Sequence, residues 1–503
     1  EYVGDQDFGY DTLPGNSNAE GNTYDAFVTS KGSRTPVLYV GANDGMLHAL
    51  NASTGAELFD YVPRGVYSNL TQLTDPGYGH QYFVDGSPQA VDAYVTIGGT
   101  TAWHTLLAGS TGAGGKDVFL LDVTDPTSFG ASDVLWDYDG ASRGDNNMGY
   151  TIGQPTIARM HDGNWYMIFS NGFGSSTGDA VLYMYNINTG NLLTFDTKKS
   201  STTTPDGMAP PLPVDYDGDR ITDAIYAGDL RGNLWKIDVS STNPSQWDFA
   251  LKSGSTAVPL FSATDSSGNV QPITERPQAA LDNQGRVLVY FGTGTYFQVG
   301  DNTVPSNPPV QSFYGIIDNK STSVSRSNLL QQSILAETTV NGASVRVTSN
   351  NSLPSGDSGW YMDLNYPSAQ GERVVSTPIV HSGRIIFTTL IPEGDDCQYG
   401  GTSWLMELDA STGSRLSDSP FELNGDNLVN SKDLVTVTVN GQDITVAASG
   451  KQSTVGIIQT PGIISGGSLE YKYYSGSTGK VGETTESVPN DQHGRLSWRQ
   501  LLP

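Results

Sequence analysis

The sequence predicts an all-β fold: a β-propeller of four-stranded blades with loop insertions, seven blades as the first reading and six as the alternative. Three observations carry this. Glycine supplies 59 of the 503 residues, and turn dipeptides recur along the whole chain. The intervals between turns are short runs rich in β-branched and aromatic residues, the composition of strands rather than helices. One order of events also repeats: a proline-led strand, a turn, an apolar strand ending near glycine, a second turn, and a strand closing on Asp.

The first repeat, residues 37–62, holds three strand-like runs, with Asn43-Asp44-Gly45 and Ser53-Thr54-Gly55 as the turns between them. Proline-led strands then follow at Pro88, Pro155, Pro213, Pro277, Pro378 and Pro461. Proline suits a strand start because its missing N–H can face an end or an edge. Second strands are expected at 105–109, 166–170, 224–228, 287–291 and 385–388, and third strands at 118–122, 182–186, 234–238, 313–318 and 404–409. Residues 37–62 lack a proline strand of their own, so 460–475 is expected to close the first blade from the far end of the chain. Residues 410–503 either add a seventh blade or decorate the sixth. The domain reading is a Gly/Asp/Asn-rich lead-in at 1–22 and a propeller over 23–503, with long polar insertions, notably 319–370 and 417–450.

Charge and cysteine content bound the function. Asp and Glu number 53 against 26 Lys and Arg, a net charge of −27, which argues against nucleic acid and anionic membrane surfaces as partners. A single cysteine, Cys397, excludes an internal disulfide and cysteine-rich zinc sites, which points to a bacterial rather than a eukaryotic secreted protein. No apolar run reaches the roughly 20 residues that span a bilayer. The chain opens on Glu1, and is read as an excised part of a longer exported polypeptide.

The most specific local signal is Asp215-Tyr216-Asp217-Gly218-Asp219-Arg220-Ile221-Thr222-Asp223. Carboxylates stand at positions 1, 3, 5 and 9, and the Ile221 carbonyl at position 7. Ca²⁺ takes about six to eight oxygens, and this spacing offers most of them: Asp215, Asp217, Asp219 and Asp223 through side chains, Ile221 through its backbone. Four like charges in so short a loop repel one another without a cation. Position 12 is Tyr226 where an EF-hand has Glu, and the loop runs on into an apolar strand, 224–228, rather than a helix. The loop is therefore expected to staple a β-turn. The matching turn of the preceding repeat, His161-Asp162-Gly163, is plain. A weaker loop of the same kind runs from Glu422, with Asn424, Asp426, the Leu428 carbonyl, Asn430 and Asp433 as its ligand positions; it is similar to dockerin loops.

Catalytic signals are thin. The six histidines (48, 80, 104, 161, 381 and 493) show no metal spacing, and each is read as a satisfied polar residue. Residues 109–116 miss the first glycine of a phosphate loop, and 292–297 miss the third glycine of a dinucleotide fingerprint. Arg231-Gly232-Asn233 lacks the carboxylate of an integrin-type Arg-Gly-Asp and is read as a strand turn. The chain is expected not to be an enzyme.

Residues 37–55, Tyr82-Phe83-Val84-Asp85-Gly86-Ser87-Pro88, the 215–223 loop, Gly400-Gly401-Thr402-Ser403-Trp404 and the terminal Gly494-Arg495-Leu496-Ser497-Trp498-Arg499-Gln500-Leu501 together resemble the PilC/PilY family of type IV pilus tip adhesins and biogenesis factors. The repeat itself also looks like that of quinoproteins. The resemblance to the pilus family implies its C-terminal propeller, non-enzymatic, on the extracellular bacterial surface at the pilus tip and outer membrane. It further implies Ca²⁺ on Asp215, Asp217, Asp219, Ile221 and Asp223, linked to pilus extension versus retraction, twitching motility and surface attachment. Pilus components such as minor pilins, and host-cell or surface receptors, are the partners it implies. Two other readings stay open: a pyrroloquinoline-quinone dehydrogenase, against which the lone cysteine counts, and a lectin-like surface propeller.

Overall fold

A computed structural model describes residues 1–14, 20–199, 203–282, 284–319, 323–395 and 399–488. Asn283, Cys397, His493 and the 494–501 motif lie outside them. Among the described residues seven blade sheets, antiparallel but for one added strand, succeed one another along the chain, so the propeller expectation holds at the higher blade count. The chain divides into two compact units, the first carrying most of residues 1–258 and the second most of 259–501.

In the first unit, strands Tyr2–Val3, Val37–Gly41, Leu47–Asn51 and Glu57–Tyr61 form the first sheet in that order. The second sheet is Gln89–Ile97, Thr100–Ser110, Asp117–Asp122 and Val134–Asp139, and the third Thr156–Arg159, Trp165–Ser170, Val181–Asn186 and Leu192–Asp196. Leu212–Val214, Ala224–Gly228, Asn233–Asp238 and Asp248–Phe249 make the fourth. Alternate residues of neighbouring sheets bury against one another. Val37, Leu47, Leu107 and Phe119 share one core; Leu106, Trp103, Trp165 and Met167 a second; Ile168, Met184, Ile225 and Trp235 a third. Each such side chain contributes about 1.5–3 kcal/mol by leaving water, and the strands read as continuous apolar runs because both faces are covered.

The first sheet corrects two expectations. Its outermost strand is Tyr2–Val3, paired with Leu38 and Val37, and not a segment from 460–475. The described part of 1–22 is thus no mere lead-in: Val3 and Tyr10 are buried, and Glu20 begins a helix. That helix, Glu20–Lys31, sets Tyr24, Phe27, Val28 and Lys31 at helical spacing on one face. Tyr24 packs on Trp103 with ring centroids 4.6 Å apart and gives its hydroxyl to Asp92 at 2.9 Å. Glu20 accepts from both Arg159 (2.8 Å) and the Trp165 indole (2.8 Å), which ties the helix start to the third sheet.

In the second unit, Gln278–Leu281, Val287–Gly292, Ser312–Asp318 and Gly359–Asp363 form the fifth sheet, with Leu330–Gln332 added in parallel. The sixth runs Ile379–His381, Arg384–Thr388, Trp404–Asp409, Gly450–Gln452, Ala343–Thr348, Ile334–Val340. The 319–370 insertion therefore contributes four strands, shared between two sheets. Trp360, fully buried, lies in the core joining those sheets; a Cβ on Gly315 would stand 2.6 Å from its indole nitrogen, so only glycine fits there. The 417–450 insertion holds a hairpin, Val435–Val439 with Gln442–Val446, and the sixth sheet's Gly450. Gly462–Ser465, Leu469–Ser475 and Val481–Ser487 make a seventh, three-stranded sheet. Lys472, Glu407 and Glu486, all fully buried, bond across the sixth and seventh sheets, with Lys472 Nζ 2.6 Å from Glu407. Among the described residues no helix is long and apolar enough to cross a membrane.

Candidate metal centre

The 215–223 loop joins the first two strands of the fourth sheet, Leu212–Val214 and Ala224–Gly228. Local sequence dictates its shape. Asp215 is fully buried and turns its carboxylate into the loop, accepting from the N–H groups of Gly218 and Arg220, the latter at 3.0 Å. Gly218 (φ 86°) and Arg220 (φ 69°) take the left-handed conformation that lets successive N–H groups face inward. Asp217 accepts from Asp219 N–H at 3.3 Å, and Asp219 from Ile221 N–H at 2.8 Å. At the far end Asp223 accepts from Tyr216 N–H at 2.7 Å, and its own N–H reaches the Val214 carbonyl at 2.8 Å, closing the loop on the strand pair.

Asp215, Asp217 and Asp223 each bring a carboxylate oxygen to within 4.8 Å of the others. Asp219 lies outside that trio; burial raises its carboxyl above the ordinary range, and the charges of Asp217, Asp215 and Asp223 add to the rise. Arg220, the cation within the loop, lays its side chain against Gly9 instead. Tyr226, at position 12, is buried with its hydroxyl 2.8 Å from that of Tyr216, and the Lys236 ammonium stands over both rings at 5.5 and 5.8 Å. The donors are all oxygen, and three carboxylates converge on a backbone that already curls around them. That set fits a hard divalent cation.

One partner escaped the sequence reading. His161 Nε2 lies 2.9 Å from Asp223 Oδ1, and Thr222 N–H donates to the Arg159 carbonyl at 2.9 Å, so the third sheet's first turn flanks the loop. The turn His161-Asp162-Gly163 is not plain in that respect. Only the recurrence of a turn at the same place in each repeat pointed there.

The 422–433 loop arranges its groups differently. Glu422 accepts from Asn424 and Asp426 N–H (3.0 and 3.1 Å) and from Gly425. Buried Asp433 takes Leu423 and Asn430 N–H on its two oxygens, both at 2.8 Å, in a capping box. Asn430 accepts from Lys432 N–H (2.9 Å), Leu428 N–H donates to Asp426 (2.9 Å), and the Lys432 ammonium lies 3.7 Å from Asp426. Among the described residues Glu422, Asp426 and Asp433 do not converge as a trio of ligating oxygens.

The model for the PilY1 β-propeller domain matches residues 3–346. A type IV pilus biogenesis factor PilY1 homolog of Xylella fastidiosa is 37% identical over 81% of this chain and 28% of its own length. The type IV pilus biogenesis factor PilY1 of Pseudomonas aeruginosa PAO1 is 34% identical over 86% of this chain and 39% of its own. This chain thus spans about a third of each of these relatives. The crystal structure of the P. aeruginosa PilY1 C-terminal domain superposes with a TM-score of 0.75 at 30% identity, covering 93% of this chain and 95% of that one. Repeat, blade count and these matches agree: the chain belongs to the PilY1 family of type IV pilus biogenesis factors and carries that family's β-propeller.

Proposed function

We propose that this propeller is a calcium-dependent binding domain of the type IV pilus machinery, displayed outside the cell, with binding rather than catalysis as its task. The convergence of Asp215, Asp217 and Asp223 oxygens within 4.8 Å, on a loop that closes a blade hairpin, carries the reading. Asp219 and the Ile221 carbonyl complete the proposed ligand set. When bound, Ca²⁺ supplies cross-linking charge: it turns mutual repulsion of carboxylates into attraction. The chain's own part is to hold the loop ends, through Asp223 N–H on Val214 and Thr222 N–H on Arg159, so that occupancy sets the surface formed by the loop and Tyr216. That surface is proposed to meet pilus components such as minor pilins, or a host-cell or surface receptor. Through it the ion would bias pilus extension against retraction, and with them twitching motility and surface attachment.

Isothermal titration of exhaustively dialysed protein with Ca²⁺ and Mg²⁺ tests this. The expected result is Ca²⁺-selective heat that Asp223→Ala weakens while the metal-free variant stays folded. Absence of heat, or equal heat from the native protein and the variant, refutes it.

A further inference from the structure

We propose that His48, Glu57 and Asp60, on adjacent strands of the first sheet, form a binding site for a divalent transition-metal ion, with Asp44 holding the imidazole from behind.

His48 lies on Leu47–Asn51 and both carboxylates on Glu57–Tyr61. Residues three apart on a regular strand point to opposite faces. Here the register passes from Ala49↔Phe59 to Leu50↔Glu57, leaving Leu58 as an extra residue, and this bulge turns Glu57 to the side of Asp60, which pairs directly with His48. His48 Nδ1 stands 2.6 Å from Glu57 Oε1 and 3.0 Å from Asp60 Oδ1. One ligating atom from each residue lies within 4.8 Å of the other two.

A lone imidazole satisfies this arrangement poorly. Nδ1 carries at most one proton and faces two carboxylates; Nε2 is already spent on Asp44 at 2.9 Å. Among the described residues the ion pairs of Asp44, Glu57 and Asp60 all run to His48, so one cationic charge at most answers three carboxyl groups, two of which, Glu57 and Asp60, also hydrogen-bond each other. A dication at Nδ1 would take both carboxylates at once and leave Nε2–H donating to Asp44. That is the carboxylate–imidazole relay by which proteins orient metal-ligating histidine.

The donor set names the class of ion. Imidazole nitrogen with two carboxylate oxygens suits Zn²⁺, Mn²⁺, Fe²⁺, Co²⁺ or Ni²⁺, whereas Ca²⁺ prefers oxygen alone. The side chains of His48, Glu57 and Asp60 are 19, 47 and 35% exposed, so solvent water reaches the positions the protein leaves open. This site is chemically distinct from the 215–223 loop and does not depend on it.

Titration of the whole chain with Co²⁺, in Ca²⁺ sufficient to saturate oxygen-only sites, tests the proposal. The expected result is a visible d–d absorption band and a binding isotherm, displaced by Zn²⁺. His48→Gln should abolish the band, and Asp44→Asn should weaken binding by about tenfold, as loss of an outer partner does. Glu57→Gln/Asp60→Asn keeps the imidazole, removes the opposite strand's ligands and should abolish the band independently, with circular dichroism verifying the fold of each variant. Absence of a band in the native protein overturns the proposal, and so does a band that survives both His48→Gln and the double variant.

Discussion

His161 Nε2 and Asp223 Oδ1 lie 2.9 Å apart although 62 positions separate them in the chain. With Tyr216 N–H on its other oxygen, Asp223 is held from two sides, one of them a neighbouring sheet. His161→Ala leaves that carboxylate held by Tyr216 N–H alone. The expected outcome is a Ca²⁺ affinity lower by roughly tenfold, the scale on which partners behind a metal ligand act, read by isothermal titration against the native protein.

Asp215 and Asp217 should respond differently to truncation. Asp217 is exposed, so Asp217→Ala should cost cation affinity while leaving metal-free stability near native. Asp215 is fully buried and accepts from Gly218 and Arg220 N–H. Asp215→Ala should cost affinity and also about 1–3 kcal/mol of metal-free stability, because those donors lose their acceptor. Denaturant unfolding in chelator separates the two.

Asp117 gives the protein a pH dependence of a definite sign. Its carboxyl is pushed up to about 9 by burial and then by the neighbouring Asp137. The folded state therefore keeps a proton that the unfolded chain releases near pH 4. Stability tied to this group is full below the ordinary carboxylate range and is lost progressively as pH rises towards 9. Asp117→Asn, neutral at every pH and still able to accept from Gly65 N–H, removes that loss. The melting temperature of the variant relative to native should rise from pH 5 to pH 9; a constant difference would contradict the assignment.

Lys472 sits fully buried against Glu407 and Glu486. Burial alone would raise Glu407, but Lys472, Glu486 and Arg384 outweigh it and bring its carboxyl down to about 2, while burial and Glu407 drive Glu486 up. Lys472→Met leaves two carboxylates without their common cation and should destabilise the protein by about 3–5 kcal/mol. Lys472→Met/Glu407→Gln/Glu486→Gln should recover part of that loss, measured as denaturant midpoints.

The repeat was legible because its signals are local. Strand 224–228 was placed to the residue, and 404–409 likewise, since apolar runs bounded by turns need no distant information. The ligand spacing of 215–223 was legible for the same reason. The helix Glu20–Lys31 was not: Gly21, Asn22, Thr23, Asp25, Thr29 and Ser30 are poor helix formers, and contacts of Tyr24 with Trp103 and Asp92 hold it. Gly359–Asp363 was hidden because 40 residues intervene between Asp318 and Gly359, which breaks the period. Val435-Thr436-Val437-Thr438-Val439 did alternate, and its strand could have been found. His161 beside Asp223, and Glu57 turned towards His48, depend on sheet neighbours and on a bulge that no short window announces.

The fifth and sixth sheets trade segments along the chain. Leu330–Gln332 belongs to the fifth, Ile334–Val340 and Ala343–Thr348 to the sixth, Gly359–Asp363 to the fifth again, and Gly450–Gln452 pairs back onto Ala343–Thr348. The fifth cannot be completed before the sixth has begun, and closure of the sixth waits for residues made about a hundred positions later. During synthesis the earlier sheets have all their strands in hand in turn, whereas the sixth, built from segments about a hundred residues apart, carries the longer-range pairing that slows folding.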